Sequence, residues 1–210
     1  MEIDNKLVVA ISKGRVFKEV NSLLEDSIYS IKDSELKTRK ILLDSQSNDI
    51  QYLLVRGWDI PTFVNSGVAQ IGIVGKDILL EKEGYDFVEL NDLNIGRCRL
   101  SVAGKETKLL DKNKLRVATR YTHTTQNYFE SIGIQVEIIE LLGSHEIAPE
   151  TNLSDVIVDL VETGKTLQQN NLQELKNIRE ISTRLIANKA ALAINKSQII
   201  DFQKFLLSKV

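Results

Sequence analysis

The residues with the clearest chemical purpose lie in one stretch, where an apolar run ends in two acids and a Thr-Gly-x-Thr turn. The run Val156–Val161 predicts a buried strand that delivers Asp159 and Glu162 to its carboxyl end. The turn Thr163–Thr166 then offers backbone N–H groups and two hydroxyls, with a helix predicted behind it. Such a turn can hold a phosphate, because free N–H donors face it and Gly164 permits close approach. Asp159 is placed to accept hydrogen bonds from ribose hydroxyls or to contact a magnesium-bound water.

The same residues also suit two structures that bind no sugar phosphate in this way. The first is a plain strand–turn–helix connection in which the threonines only cap the helix, and the spacing leaves that alternative open. The second is a P-loop, since Gly164-Lys165-Thr166 looks like the end of one. A P-loop needs a glycine at position 159, where this chain has an aspartate, so the P-loop is excluded.

The elements that position this turn follow an α/β pattern throughout the chain, because short Val- and Ile-rich runs alternate with amphipathic helical patterns. Two extended segments, 86–104 and 177–187, lack an intervening helix and are predicted to cross between two lobes. The expected domains are 1–92 plus 183–210 for lobe I and 93–182 for lobe II, with a ligand cleft between them.

The predicted elements are short and closely spaced. The strands are predicted at Leu7–Ser12, Ile41–Asp44, Gln51–Arg56, Gln70–Val74, Leu115–Ala118, Gln135–Leu141 and Val156–Val161. The helices are predicted after Arg15 with Val16, Val20, Leu23 and Leu24 on one face, from an Asp59 cap to Phe63, and at Ile78–Lys82, Thr122–Ser131 and Asn188–Leu207. The last of these helices is expected to bury Ala191, Ile194, Ile199, Phe202 and Leu206.

Composition excludes several classes of protein. The 210 residues are 42% hydrophobic and carry a formal net charge of −2, which favours neither nucleic acid nor an anionic membrane as a partner. No apolar run approaches the roughly 20 residues that span a bilayer, and Met1–Lys6 lacks the apolar core of a secretory leader. A single cysteine, Cys98, excludes an internal disulfide framework and a multi-cysteine zinc site. We therefore expect a cytoplasmic protein.

Several motifs, in order along nearly the whole chain, resemble those of the ATP phosphoribosyltransferase family. Its signature runs from a glutamate through an aspartate to a Thr-Gly-x-Thr-Leu turn, and it is matched by Glu146, Ser154, Asp159, Thr163, Gly164, Thr166 and Leu167. Further matching blocks are Ala10–Arg15, Arg56–Pro61, Gly67–Asp77 and Val117–Tyr121. This chain departs from the family at Asn152, a common glycine, and at Thr122, a common proline. Asparagine tolerates a left-handed backbone, so the first departure is expected to do little harm.

The resemblance implies an activity. Enzymes of this family use N1 of ATP to displace pyrophosphate from C1 of 5-phosphoribosyl 1-pyrophosphate, the first step of histidine biosynthesis. N1 of adenine is unprotonated at neutral pH, so no general base is required. Mg²⁺ is expected to arrive on the substrate, with no metal site of the protein's own.

The resemblance also implies which residues form the site. Arg15 and Arg56 are expected to stabilise charge on the departing pyrophosphate. The expected substrate-binding residues are Lys13, Asp77, Arg97, Asp155, Asp159, Glu162, Thr163, Gly164, Lys165 and Thr166. Each of the cations could instead be an ordinary surface residue, and Asp77 could be only a helix cap. Cys98, His123 and His145 receive no role.

The length resembles that of the family's short form, which lacks the histidine-binding regulatory domain of the long form. The short form works with a regulatory subunit similar to histidyl-tRNA synthetase, so the resemblance implies a hetero-oligomer.

Two rival functions differ in class. A type I phosphoribosyltransferase normally has adjacent acids where this chain has Val158-Asp159, which argues against it. A two-lobed small-ligand-binding protein without catalysis stays open, because the predicted fold also resembles periplasmic binding proteins of type II and a fold does not decide function.

Overall fold

The computed structural model describes residues 6–108 and 114–210, which form two compact α/β units. One unit contains the chain up to Gly96 together with Ser182–Val210, and the other is Arg97–Ile181. The chain therefore passes between the units twice, as the two extended segments predict. The predicted boundaries lie a few residues away, and the domain assignment and the cleft between lobes stay predictions.

The described elements alternate between strands and helices. The strands are β1 (Leu7–Ser12), β2 (Leu42–Asp44), β3 (Ile50–Val55), β4 (Ile71–Gly75), β5 (Phe87–Asp92), β6 (Cys98–Gly104), β7 (Lys114–Thr119), β8 (Gln135–Glu140), β9 (Val156–Val161), β10 (Gln173–Ile181) and β11 (Thr183–Asn188). The helices are α1 (Arg15–Leu24), α2 (Asp33–Leu36), α3 (Ile60–Asn65), α4 (Lys76–Leu80), α5 (Thr122–Ser131), α6 (Lys165–Gln169), α7 (Lys189–Ile194) and α8 (Lys196–Leu207).

The first unit is built on a six-stranded sheet in the order β2-β3-β1-β4-β11-β5. Strands β3, β1 and β4 are parallel, whereas β11 runs antiparallel between β4 and β5. The parallel centre is buried on both faces, which explains why Leu7–Ser12 is a continuous apolar run. One face packs on α1 and α8, with Val20, Leu24 and Phe202 in the core.

The second unit is built on a five-stranded sheet in the order β10-β6-β9-β7-β8. Strand β9 lies at its centre, parallel to β7 and antiparallel to β6. Its first three residues, Val156, Ile157 and Val158, are fully buried. A central, buried strand is a rigid support for whatever follows its carboxyl end, and here that is the predicted phosphate turn.

Several predicted elements need correction. The C-terminal helix is two helices, α7 and α8, because the chain breaks at Asn195, and Ile194 is 81% exposed rather than in the core. Asp59 occupies the N-cap position of α3, but its side chain makes no capping hydrogen bond. Helix α4 begins at Lys76, two residues before the predicted start, because it follows β4 without a loop.

The described helices do not include a candidate for a membrane-spanning segment. Over residues 6–108 and 114–210, none of them combines the length and the apolar character that a bilayer crossing requires.

Candidate active site

The turn after β9 adopts the predicted strand–turn–helix geometry. Gly164 has a φ of +76°, in the left-handed region, and α6 begins at the next residue. A Cβ at Gly164 would meet no atom closer than 4.0 Å, so backbone conformation rather than crowding favours glycine there. Within the described part of the chain, the N–H groups of Gly164 and Thr166 donate no backbone hydrogen bond. Both groups can therefore donate to a ligand.

A cavity of about 240 Å³ opens beside this turn. It is lined by Glu146, Asp159, Leu160, Val161, Glu162, Thr163, Gly164, Thr166 and Leu167. Six of the predicted site residues belong to this stretch, and Lys165 alone among them does not line the cavity. The Lys165 N–H donates to the Thr163 hydroxyl over 3.4 Å, a long bond that leaves the hydroxyl proton available.

Asp159 is held on two sides. Its Oδ1 accepts a hydrogen bond of 2.7 Å from the Leu160 N–H, and its Oδ2 lies 2.8 Å from Nδ1 of His145. The other ring nitrogen of His145 lies 3.0 Å from the carbonyl oxygen of Leu141. The hydrogen bond to Asp159 raises the pKa of His145 above its ordinary value, and this effect outweighs burial of the ring, which lowers it.

His145 is the functional candidate that sequence reasoning missed. It is 4% exposed and begins a short 3-10 helix, His145–Ile147, in the segment between β8 and β9. The separation of 14 residues from Asp159 gives no periodic signal. Only the fold, which returns this segment to the carboxyl end of β9, reveals the contact.

In the first unit, the predicted residues gather at one edge of the sheet. Ser12 pairs with Val55 across β1 and β3, so Lys13 and Arg56 follow neighbouring strand ends, and both are exposed. Asp77 follows β4, the next parallel strand, and is buried. The carboxyl edge of parallel strands is the usual ligand-binding edge of an open α/β sheet.

Arg15 is the first residue of α1, and its guanidinium already contacts other groups of the first unit. Its guanidinium donates to the Gly96 carbonyl over 3.3 Å and lies 3.8 Å from the Glu19 carboxylate. Glu19 also accepts a hydrogen bond of 2.8 Å from the Gly96 N–H. Arg15 and Glu19 thus hold the peptide at which the chain leaves the first unit.

Arg97 and Asp155 lie away from the turn. Arg97 is exposed and precedes β6 at the edge of the second unit. Asp155 lies before the amino end of β9, where its carboxylate accepts a 2.8 Å hydrogen bond from the Arg116 N–H and pairs with the guanidinium at 3.3 Å. The geometry gives Asp155 a structural partner and does not bring it to the cavity.

Comparison with known proteins decides among the functions that this geometry could serve. Residues 56–207 match a family model described as HisG: ATP phosphoribosyltransferase. The chain is 43% identical over 193 residues to ATP phosphoribosyltransferase of Ruthia magnifica, covering 92% of this chain and 94% of that protein. It is 43% identical over 196 residues to that of Methylococcus capsulatus, covering 93% and 92%.

The chain belongs to the ATP phosphoribosyltransferase family. It is therefore a glycosyltransferase, and its activity is the first step of histidine biosynthesis. Because each match covers more than nine-tenths of both proteins, these relatives are of the family's short form. The predicted family and function are confirmed, and the non-catalytic alternative is set aside.

Solved structures also confirm the predicted fold. The structure titled as the ATP phosphoribosyl transferase (HisG:HisZ) complex from Thermotoga maritima matches with a TM-score of 0.82 and 35% identity, over 96% of this chain and 97% of that chain. The periplasmic aliphatic sulphonate binding protein SsuA from Escherichia coli matches with a TM-score of 0.63 at 14% identity, over 96% of this chain and 67% of that one. The second likeness shows the fold alone.

Both departures from the family's motifs have a structural account. Asn152 has a φ of +57°, a left-handed conformation that asparagine tolerates better than other residues with a Cβ, as predicted. Thr122 is the first residue of α5, the position at which proline is most acceptable in a helix. A threonine there keeps the same backbone, so the turn after Tyr121 forms without the proline.

Proposed function

We propose that the turn Glu162–Thr166 and Asp159 bind the ribose 5-phosphate part of phosphoribosyl pyrophosphate. The observation that carries this proposal is the cavity beside the turn, into which unbonded N–H groups and threonine hydroxyls can donate. A dianionic phosphate is well matched to several neutral donors, because each adds a charge-assisted hydrogen bond. The Asp159 carboxylate can accept hydrogen bonds from the ribose hydroxyls.

Four cations, Lys13, Arg15, Arg56 and Arg97, are proposed to act on the pyrophosphate of this substrate. Arg15 and Arg56 stabilise the negative charge that develops on pyrophosphate as it leaves, and Lys13 and Arg97 bind it in the ground state. The exposure of Lys13 and Arg56 supports the role, since a side chain must be accessible to reach an anion. Asp77 is proposed to bind substrate at the same edge of the sheet as Lys13 and Arg56.

The bond changes balance without an acid or a base from the protein. The lone pair of adenine N1 forms the new bond to C1 of the ribose, while the C1–O bond breaks and its electron pair leaves with pyrophosphate. What the protein supplies is alignment of the two substrates and positive charge around the leaving group.

Magnesium enters with the substrate. No group of three or more metal-ligating side chains occurs in residues 6–108 and 114–210. Asp159 and Glu162 line the cavity, where their carboxylates could accept hydrogen bonds from waters bound to an ion that the substrate carries. When bound, the ion offsets the charge of the pyrophosphate. The carboxylates orient the substrate whose phosphates carry the ion.

We also propose that the chain works in the cytoplasm in a hetero-oligomer with a regulatory subunit similar to histidyl-tRNA synthetase. The support is the 0.82 TM-score and near-complete mutual coverage with the Thermotoga maritima protein of the HisG:HisZ complex. Feedback by histidine would then act through the partner.

A binding and turnover experiment tests the site. The purified chain is mixed with ATP, phosphoribosyl pyrophosphate, Mg²⁺ and pyrophosphatase, and the near-ultraviolet absorbance of N1-substituted adenine is followed with and without the HisZ-type partner. We expect Asp159→Asn to weaken phosphoribosyl pyrophosphate binding about tenfold or more while ATP affinity is unchanged. Glu150→Gln, an exposed acid of the same unit, is the matched control. An Asp159→Asn variant with the affinity of the control would remove Asp159 from the site.

A further inference from the structure

The buried ring of His145 faces two hydrogen-bond acceptors. Nδ1 contacts the Asp159 carboxylate at 2.8 Å, and Nε2 contacts the Leu141 carbonyl oxygen at 3.0 Å. Neither an ionised carboxylate nor a carbonyl can donate a proton, so each ring nitrogen must carry its own hydrogen to make its bond. A neutral imidazole has only one N–H. The two contacts together favour the imidazolium, which places a positive charge inside the second unit.

This charge lies where the site needs one. Glu146, Asp159 and Glu162 all line the cavity beside the turn, so three carboxylates surround a place proposed to receive a phosphate. Repulsion between carboxylates and a phosphate would weaken binding unless a nearby cation offset it. His145 contacts Asp159 directly and supplies such a cation.

We propose that His145 is a positioning residue for Asp159, fixing its carboxylate for the ribose hydroxyls and offsetting its charge beside the phosphate. The inference rests on the proposed binding role of the turn and Asp159. With Oδ2 held by His145 and Oδ1 by the Leu160 N–H, the carboxylate has one orientation before substrate arrives. A preorganised acceptor loses less conformational entropy on binding than one that must be ordered.

The surroundings of the ring sustain its charge. The charged groups that act on it are Asp159 from β9 and Glu146 from its own short helix, and both are negative. Their effect, with the Leu141 carbonyl, exceeds the effect of burial, so the pKa of His145 lies above its ordinary value. The imidazolium therefore persists to a higher pH than an exposed histidine would allow.

Two substitutions separate positioning from simple packing. His145→Leu keeps volume but removes the donor and the charge, and we expect the Kd for Mg²⁺–phosphoribosyl pyrophosphate to rise about tenfold to a hundredfold. His145→Asn keeps an uncharged donor near the Nδ1 position and should recover part of this loss. The apparent KM should follow Kd in both variants, with kcat changed far less. Thermal denaturation identifies any variant that fails to fold, in which case His145→Asn carries the test.

A pH series gives a readout that packing alone would not move. Binding by the unaltered chain should weaken as pH rises through the pKa of His145, in addition to any pH dependence that belongs to the substrate. In His145→Asn only the substrate's own dependence should remain. The chain has two histidines, so NMR resolves the titration directly, with His123→Gln to assign the signals. Asp159→Asn should lower the pKa of His145.

The outcomes separate this inference from the proposed site. If Asp159→Asn and Thr166→Ala weaken binding but His145→Leu and His145→Asn do not, His145 is not a positioning residue and the site stands. If the His145 variants weaken binding equally at every pH and Asp159→Asn leaves the His145 titration unchanged, the role is structural and the inference is overturned. If neither Asp159→Asn nor Thr166→Ala weakens binding, the proposed site itself is wrong.

Discussion

The turn after β9 and the loops after β1 and β3 both follow parallel strands, yet their polar side chains are held differently. Asp159 is fixed by a buried histidine and by a backbone N–H. Lys13 and Arg56 are exposed and lie beside each other only because Ser12 pairs with Val55. On the proposed roles, the second unit supplies a held acceptor for recognition, and Lys13 and Arg56 of the first unit supply exposed positive charge. Recognition of a ribose phosphate needs fixed acceptors, whereas a leaving pyrophosphate can be met by long, adaptable side chains.

The largest expected effect comes from removing a cation of the first unit. Arg56→Ala should lower kcat about a hundredfold to a thousandfold with little change in the KM for phosphoribosyl pyrophosphate, because the charge it stabilises develops only in the transition state. Steady-state kinetics with the partner present measures this. Arg39→Ala, another exposed arginine of the same unit, is the matched control. Equal losses of kcat in Arg56→Ala and Arg39→Ala would contradict a specific role of Arg56 in stabilising the leaving pyrophosphate.

A smaller effect is expected from the turn itself. Thr166→Ala removes one hydroxyl from the cavity and should raise the Kd for phosphoribosyl pyrophosphate about tenfold, with kcat at saturation almost unchanged. Isothermal titration calorimetry measures the affinity, and Thr38→Ala provides a control for loss of an exposed threonine hydroxyl. A fall in kcat at unchanged affinity would mean that Thr166 acts on the transition state, as Arg56 is expected to. It would contradict the proposed difference in role between the two regions.

The rigidity of the turn is tested at Gly164. Because φ is +76° and nothing lies closer than 4.0 Å to a Cβ placed there, Gly164→Ala should lower the free energy of unfolding by about 1–2 kcal/mol through backbone strain alone. Gly164→Asn should recover much of this loss, since asparagine tolerates the left-handed conformation. Urea denaturation measures both variants. Equal destabilisation by alanine and asparagine would point to crowding instead of strain.

The smallest expected effect is on the pH dependence of stability. Because the pKa of His145 is raised in the folded chain, its contribution to the free energy of unfolding is fully present below the ordinary pKa of about 6.5. That contribution is lost as pH rises through the folded-state pKa. Chemical denaturation across this range should show the loss in the unaltered chain and not in His145→Asn. A parallel pH dependence in both would assign it to other groups.

Much of this molecule could be predicted from the pattern of apolar residues. The bounds of β1, β9 and α5 agree with prediction because each combines a clear period with strong end signals. The break at Asn195 could not be predicted in the same way. Asparagine is tolerated inside a helix at modest cost, so the residue alone does not signal an end. Ile194 is the last residue of α7 before this break, and it is exposed, whereas Ala191 of the same helix is buried.

The candidate site likewise contains residues that the sequence could predict and residues that it could not. The turn and Asp159 were predictable because their residue types and spacing are contiguous in sequence. His145 was not, because its partner lies 14 residues away across a loop and the contact depends on the return of that loop to β9. Asp155 illustrates the reverse case, in which an acid close to the motif is drawn to Arg116 by the fold. Nearness in sequence and nearness in space must therefore be assessed separately.

The place of β11 in the first sheet has a consequence for synthesis on the ribosome. This strand, Thr183–Asn188, lies between β4 and β5, two strands that are translated about a hundred residues earlier. β5 has no partner in the sheet, and β4 is paired on one side only, until β11 emerges. Every strand of the second unit, by contrast, comes from the continuous stretch 97–181. The nascent chain can therefore complete the second sheet while the first still lacks a strand. The sheet whose first strands are translated earliest is therefore the last sheet to be completed.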